Sequence, residues 1–445
     1  MKPFIFLLAG LLASLPALAQ SLQWARTVGS ELSEEAEGVF VDDAQHVYLF
    51  SSFKSSLDAD PGAGEILFEA LGEFDLLLQK FDPDGNLVWA RHIGSVDNEK
   101  AEGLTVDPAG NIWLTGIYRN SLDVDPGPGA FILEGAASWD FFLLKLDADG
   151  NFVWAGTFGG PSFDFARAVA ADNEGNIFLA GSFQSSIDFD PGPDLVLIPS
   201  TGFSNVFVLK LDNDGNYEWV KTVQGPSSNN CRSLCVDPDG NVLVTGDFVS
   251  SSDFDPGPDE LLLTSNGWED IFLLKLTAAG DLAWAQNFGN SIGDSGTDVT
   301  TDAAGNVYLT GFFNASVDFA PGPETYYLTS EEEEDVFVCK YNPDGALLWA
   351  RQLGGPAEDL GQSIAVGPDM HVYIGGTFAA TLDVEPGPGV QLLEVAPDNG
   401  TDAFLVEFTA DGSLAWSYAL GSTATDEVVD LHSSSEGFLY VTGLF

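Results

Sequence analysis

Seven tryptophans recur along this 445-residue chain: Trp24, Trp89, Trp154, Trp219, Trp284, Trp349 and Trp416. Their spacing is 65 residues five times and then 67. A fixed period of this length marks one supersecondary unit repeated, each copy covering its face against the next. The two extra residues fall around "EVAPDNG" (394–400), because Asp383 is still 65 residues after Asp318. Length drift confined to a loop is how a structural repeat behaves.

The third unit shows what is repeated. "FARAVAAD", "NIFLAGSF", "NVFVLKLD" and "YEWVKTVQG" each read as a strand. "NEGN" and "NDGN" join them as tight turns, with glycine at the left-handed position. Helical periodicity is weak throughout. A four-stranded antiparallel sheet has two faces to cover, and radial stacking covers both while leaving few open edges. The expected fold is all-β: a seven-bladed β-propeller of four-stranded antiparallel blades. First strands begin near Ala36, Ala101, Ala166, Cys231, Gly296, Gly361 and Val428. Third strands number only six, ending with "DAFLVEFT". The expectation is therefore an incomplete last blade in a fragment cut inside a repeat, with strand 22–29 closing that blade. A longer chain of eight or more blades, also cut here, is the rival.

The recurrent string, D-x-FLLKLD-x-DGN-x-x-WA followed by VD-x-x-GN-h-Y-h-TG-x-F with h apolar, resembles the SBBP-type β-propeller repeat of secreted bacterial proteins. It is similar, more distantly, to the NHL-type repeat. The resemblance covers residues 22–445. It implies a propeller and says little about activity. The added "DFDPGPD" loop looks like a variant of Bacteroidetes surface proteins, whose members often end in a sorting domain.

Residues 1–19 read as a secretory signal peptide: Lys2, an apolar run, then Ala17-Leu18-Ala19 before a cut near Gln20. Residues 20–445 are then the propeller, secreted or at the cell surface of a Gram-negative bacterium. No run is long enough for a membrane span. Acidic residues outnumber basic ones 68 to 15, a formal charge of -53. Such a surface repels nucleic acid and favours cations or basic partners. Cys231, Cys235 and Cys339 make no disulfide framework.

Two acidic registers are the candidate sites. Ten residues after each tryptophan stand Glu34, Glu99, Asp164, Asn229, Asp294, Asp359 and Asp426. In a propeller these precede the innermost strands, so six carboxylates would ring the channel mouth. The Pro-Gly loops give Asp58 and Asp60, Asp123 and Asp125, Asp188 and Asp190, Asp253 and Asp255. Residues two apart in extended chain point the same way, and paired carboxylates suit Ca²⁺. The competing reading of both registers is a turn whose Asp accepts backbone N–H groups. Ala320 and Glu385 at the second Asp position favour the turn. Lys80, Lys145, Lys210, Lys275 and Lys340 share a third-strand register, read as a repeated ion pair. "EEEED" (331–335) reads as a solvated loop. The four histidines fall in unrelated positions, and no HExxH or GxSxG string occurs.

The expected function is a non-catalytic binding or scaffold module of an exported surface protein, with no certain cofactor and Ca²⁺ as the fitting cation. Its partner would be a protein or a glycan, and the propeller itself monomeric. The alternatives are an extracellular lyase or hydrolase working with channel-mouth carboxylates, and an architectural spacer.

Overall fold

The computed structural model describes residues 5–11, 21–29, 34–320, 322–396, 400–422 and 424–445. The expected cleavage site near Gln20 and residues 397–399 of the last long loop lie outside them. The chain divides into two compact units. One comprises Met1–Ser200, Val208–Val220 and His432–Leu444; the other comprises Thr201–Phe207, Lys221–Leu431 and Phe445.

The fold is an all-β propeller of six blades. In the first unit, blade one is Glu34–Val41, Val47–Phe53, Asp75–Phe81 and Leu87–Ile93. Blade two is Lys100–Val106, Ile112–Asp123, Ile132–Leu146 and Phe152–Phe158. Blade three starts with Asp164–Ala171 and Ile177–Phe183 and continues through Asn205–Leu211 and Tyr217–Val223. In the second unit, blade four is Asn229–Val236, Val242–Phe248, Asp270–Leu276 and Leu282–Phe288. Blade five is Ser295–Thr301, Val307–Phe313, Asp335–Tyr341 and Leu347–Leu353. Blade six is Asp359–Val366, Val372–Phe378, Asp402–Phe408 and Leu414–Leu420.

The expectation of seven blades with an incomplete last one is corrected. Six blades are each built from four consecutive strands. The strands after them, Glu427–Ser433 and Phe438–Leu444, are not left as an open pair. They lie in a four-stranded sheet with Ile5–Leu11 and Ser21–Val28, both from the other chain end. Ile5 pairs with Leu444 on one side and Val28 on the other. The physical reason is the open edge. An unpaired strand presents a row of N–H and C=O groups that any apolar extended segment can bond, because the ladder is backbone. Ile5–Leu11 is the same apolar run that reads as the core of a signal peptide.

Pattern explains position within a blade. Second and third strands such as "VYLFSSF" and "DLLLQKF" are buried at every residue, polar Ser51, Gln79 and Lys80 included. Fourth strands such as "LVWARHI" are mostly half-buried. The turns between third and fourth strands follow one plan. Asp82 Oδ1 accepts N–H bonds from Asp84 and Asn86, and Gly85 takes φ +74°.

The fourth-strand tryptophans latch onto the following turn. Trp24 Nε1 donates to Pro83 O at 3.0 Å and Arg26 Nε to Gly85 O at 2.7 Å. Trp284 and Gln286 repeat this on Pro343 and Gly345. Trp349 and Arg351 repeat it on Ala410 and Gly412. At these three positions the register supplies both apolar cover and a satisfied indole N–H, whereas Trp219 and Trp416 Nε1 have no hydrogen-bond partner among the described residues.

Candidate functional site

The Pro-Gly loops are built alike in all six blades. Asp58 Oδ1 accepts the N–H groups of Asp60 at 3.1 Å and Ile66 at 2.9 Å. Asp123, Asp188 and Asp253 do the same, as do Asp318 and Asp383. The residue after each first Asp, for example Phe189, Phe254 or Phe319, is fully buried. The loop is therefore an apolar anchor held by an Asp that closes the turn over eight residues. The second Asp plays a smaller part. Asp60, Asp125, Asp190 and Asp255 each accept one N–H, from the glycine two residues on. Ala320 stands at that position in blade five without loss of the first Asp's two bonds.

One oxygen of each first Asp carries two N–H bonds. Among the described residues no group of three or more His, Cys, Asp or Glu side chains is placed to hold a metal. Ca²⁺ takes six to eight oxygens.

The second register is buried. Glu34, Glu99, Asp164, Asp294, Asp359 and Asp426 are each 1% exposed or less. Asp164 accepts from Gly160 N and Gln184 N, and Asp294 from Asn290 N and Asn314 N. Glu99 accepts from Ser95 N and Oγ, Asp359 from Ala379 N, and Asp426 from Ser422 N. Each fixes a turn before a first strand.

Sequence reasoning missed their partners. Asp75, Asp270, Asp335 and Asp402 open third strands, Asp140 holds the same register inside Ile132–Leu146, and all five are buried. Each lies beside a member of the first register: Asp75 by Glu99, Asp140 by Asp164, Asp270 by Asp294, Asp335 by Asp359, Asp402 by Asp426. The glycine ending each fourth strand admits them; a Cβ on Gly94 would sit 2.1 Å from Asp75 Oδ2. The signal was available. Asn229 is the exception in one register and Asn205 the exception in the other, and these two face each other. Burial is the main cause that raises Glu99, Asp164, Asp294 and Asp359, with the neighbouring carboxylate adding to it. Glu99, Asp164 and Asp294 are pushed up to about 7, Asp359 to about 8. Asp335 is pushed up to about 7, so the last residue of "EEEED" belongs to the interior and not to a solvated loop.

The lysine register is mixed. Lys275 pairs with Asp237 at 2.9 Å, while Lys80 and Lys340 lie over the rings of Tyr48 and Tyr308 at 4.8 and 4.9 Å. Glu407, the odd member, meets His371 Nδ1 at 2.5 Å. His92 Nε2 lies 2.5 Å from Asp75. His432, half-buried against Phe40, is held down at about 4 by burial. The three cysteines are free thiols. Among the described residues no helix is long and apolar enough to cross a membrane.

No family model matches the chain. It is 21% identical over 437 residues to an uncharacterized WD repeat-containing protein, L264, of Acanthamoeba polyphaga mimivirus, covering 81% of this chain and 31% of that protein. It is 27% identical over 221 residues to the regulatory protein FlaEY of Caulobacter vibrioides, covering 49% of this chain and 22% of that one. The chain thus spans about a third or less of the curated relatives it matches. Among solved structures it is similar to a protein of unknown function from Bacteroides caccae, at 11% identity and TM-score 0.37 over 79% of this chain and 94% of that one. The Neurospora crassa Pan2 WD40 domain gives 11% identity and TM-score 0.41 over 92% and 89%. The SBBP type stays a resemblance of motif.

Proposed function

We propose that the chain is a non-catalytic binding or scaffold propeller of an exported bacterial surface protein, and that its acidic loop face meets a basic partner. The observation that carries this reading is the sameness of the sites. Every Pro-Gly loop places its first Asp identically, and each Asp carboxylate is committed to backbone N–H groups. Catalytic carboxylates need environments that differ from one another, so that one is acid and the other base. Repeated identical turns instead give rigid acidic loops in each unit, and the charge of -53 makes the surface attractive to cations and basic surfaces. Export rests on the N-terminal pattern of Lys2, apolar run and Ala17-Leu18-Ala19.

The test is a binding and turnover screen of the purified chain against basic proteins and soluble polysaccharides. Salt-dependent, saturable capture of a basic protein is the expected result. Turnover of a polysaccharide that a single carboxylate substitution abolishes would overturn the reading in favour of an enzyme.

A further inference from the structure

Blade two departs from the others beside its hairpin. Ile112–Asp123 and Ile132–Leu146 run unbroken for 12 and 15 residues, where other blades stop and form a separate small ladder. Next to this hairpin lies a cleft of about 510 Å³. Phe131, Ile132, Glu134 and Asp140 line it from blade two, and Asp188 and Asp190 from blade three. Its described lining holds four carboxylates and no cationic side chain.

One of the four is unsatisfied. Asp140 is 1% exposed. Its Oδ2 accepts the Ala136 N–H, while its Oδ1 has no hydrogen-bond partner. Blades one, four and five bring a side-chain donor to this carboxylate from within, while in blade six Asp402 Oδ1 is likewise without a hydrogen-bond partner among the described residues and Ala419 stands at the donor's register. His92 Nε2 reaches Asp75 at 2.5 Å, Asn287 Nδ2 reaches Asp270 at 3.2 Å, and Gln352 Nε2 reaches Asp335 at 2.6 Å. In blade two the repeat puts Thr157 there, and its hydroxyl is engaged with the Tyr118 hydroxyl at 2.5 Å. Beside it stands Gly156, where blades one, four and five have Arg91, Gln286 and Arg351. A donor and a long side chain are missing at one place, and the cleft borders both positions.

We propose that this cleft binds an organic cation bearing N–H donors on an apolar stem, a guanidinium or primary ammonium, which donates to Asp140 Oδ1 while its stem lies along Phe131 and Ile132. A buried acceptor without a donor costs about 1–3 kcal/mol, and a charged donor recovers the most. Phe131 stacks on Phe152 with centroids 4.8 Å apart and is 40% exposed, which gives the stem a rigid apolar wall. Glu134, exposed at the rim, and Asp190 add attraction for the same charge. The site rests on the binding-module reading and names its ligand class.

Isothermal titration calorimetry of the full chain tests it, with N-acetyl-arginine amide, an arginine-containing peptide, and tetramethylammonium, which has charge but no N–H. Both arginine probes should saturate one site per chain, and tetramethylammonium should bind at least about tenfold more weakly. A peptide at least about tenfold tighter than the amide assigns the natural ligand to a polypeptide; equal affinities assign it to a free small cation. Thr157→Gln supplies the internal donor that Gln352 supplies in blade five, and should weaken binding by about tenfold or more with the thermal midpoint unchanged or raised. Asp140→Asn installs the amide that Asn205 already provides in blade three, and should fold and lose binding. Absence of saturable binding to the native chain overturns the proposal, and so does binding that Thr157→Gln leaves unchanged. A chain that captures a basic protein yet ignores the arginine probes sinks this site and leaves the broader reading standing.

Discussion

Asn229 donates from Nδ2 to Oδ1 of Asn205 at 3.1 Å, and both side chains are fully buried. Five other blade positions carry two carboxylates in place of these two amides. Facing carboxylates in a desolvated pocket cannot both ionise cheaply, so burial and the neighbouring charge raise Asp164, Asp294 and Asp359. The amide pair carries no charge at any pH.

Stability should fall as pH rises through neutrality. Asp335 and Asp359 sit at about 7 and about 8 in the folded chain, against roughly 4 when unfolded. Folding takes up protons between those values, so their contribution is complete below about pH 4 and is lost as pH passes through 7 to 8. The thermal midpoint should decline between about pH 5 and pH 9. Asp359→Asn places an amide donor beside Asp335 and should stabilise the chain at pH 8 by on the order of 1–3 kcal/mol. A midpoint that is flat over this range, or higher at pH 9, refutes the raised titration of this pair.

Loop anchors should outweigh loop charges. Phe254 is fully buried behind its loop and packs edge-on to Phe248 at 5.2 Å. Phe254→Ala should cost about 3–5 kcal/mol in denaturant unfolding. Asp255→Ala reproduces what Ala320 already is in blade five, and should cost less than about 1 kcal/mol. Equal costs for the two variants would show that the second carboxylate has a duty beyond its one N–H bond.

Calcium should leave the fold indifferent. The first Asp of each loop spends one oxygen on two N–H groups, and no third acidic ligand joins among the described residues. After EDTA treatment, ~1 mM CaCl₂ should shift the melting midpoint by less than about 1 °C. A rise of several degrees, lost in Asp58→Asn with Asp60→Asn, would restore the Pro-Gly loops as cation sites.

The N-terminus offers a measurable choice. Ile5–Leu11 is a strand between Ser21–Val28 and Phe438–Leu444, and it is also the apolar core of a signal-peptide pattern. Intact mass of protein recovered from the medium of a Gram-negative host should correspond to a chain starting near Gln20. A mass retaining Met1 would show that the segment serves as a strand and not as a leader.

Much of the blade was legible from residues. Second and third strands announced themselves as apolar-rich, β-branched and aromatic segments between turns, and the Asp-x-x-Gly-Asn turns by glycine's tolerance of positive φ. The fixed 65-residue register also singled out Glu99, Asp164, Asp294 and Asp359. It did not show that they are buried, because a period gives position along the strand and not depth. Asp75 and Asp140 were hidden for a related reason: at the head of an apolar strand an Asp looks like the last residue of a loop.

What the sequence by itself determined is the unit: four antiparallel strands, their turns and the order of repeats, all set by local patterning and turn chemistry. What the tertiary structure alone decided is who meets whom. It paired Asp335 with Asp359, left Asp140 Oδ1 without the side-chain donor that blades one, four and five bring to that carboxylate, and set Ile5–Leu11 beside Phe438–Leu444. Those facts depend on packing between segments far apart in the chain, where backbone edges and buried charges are satisfied by whatever the fold brings near.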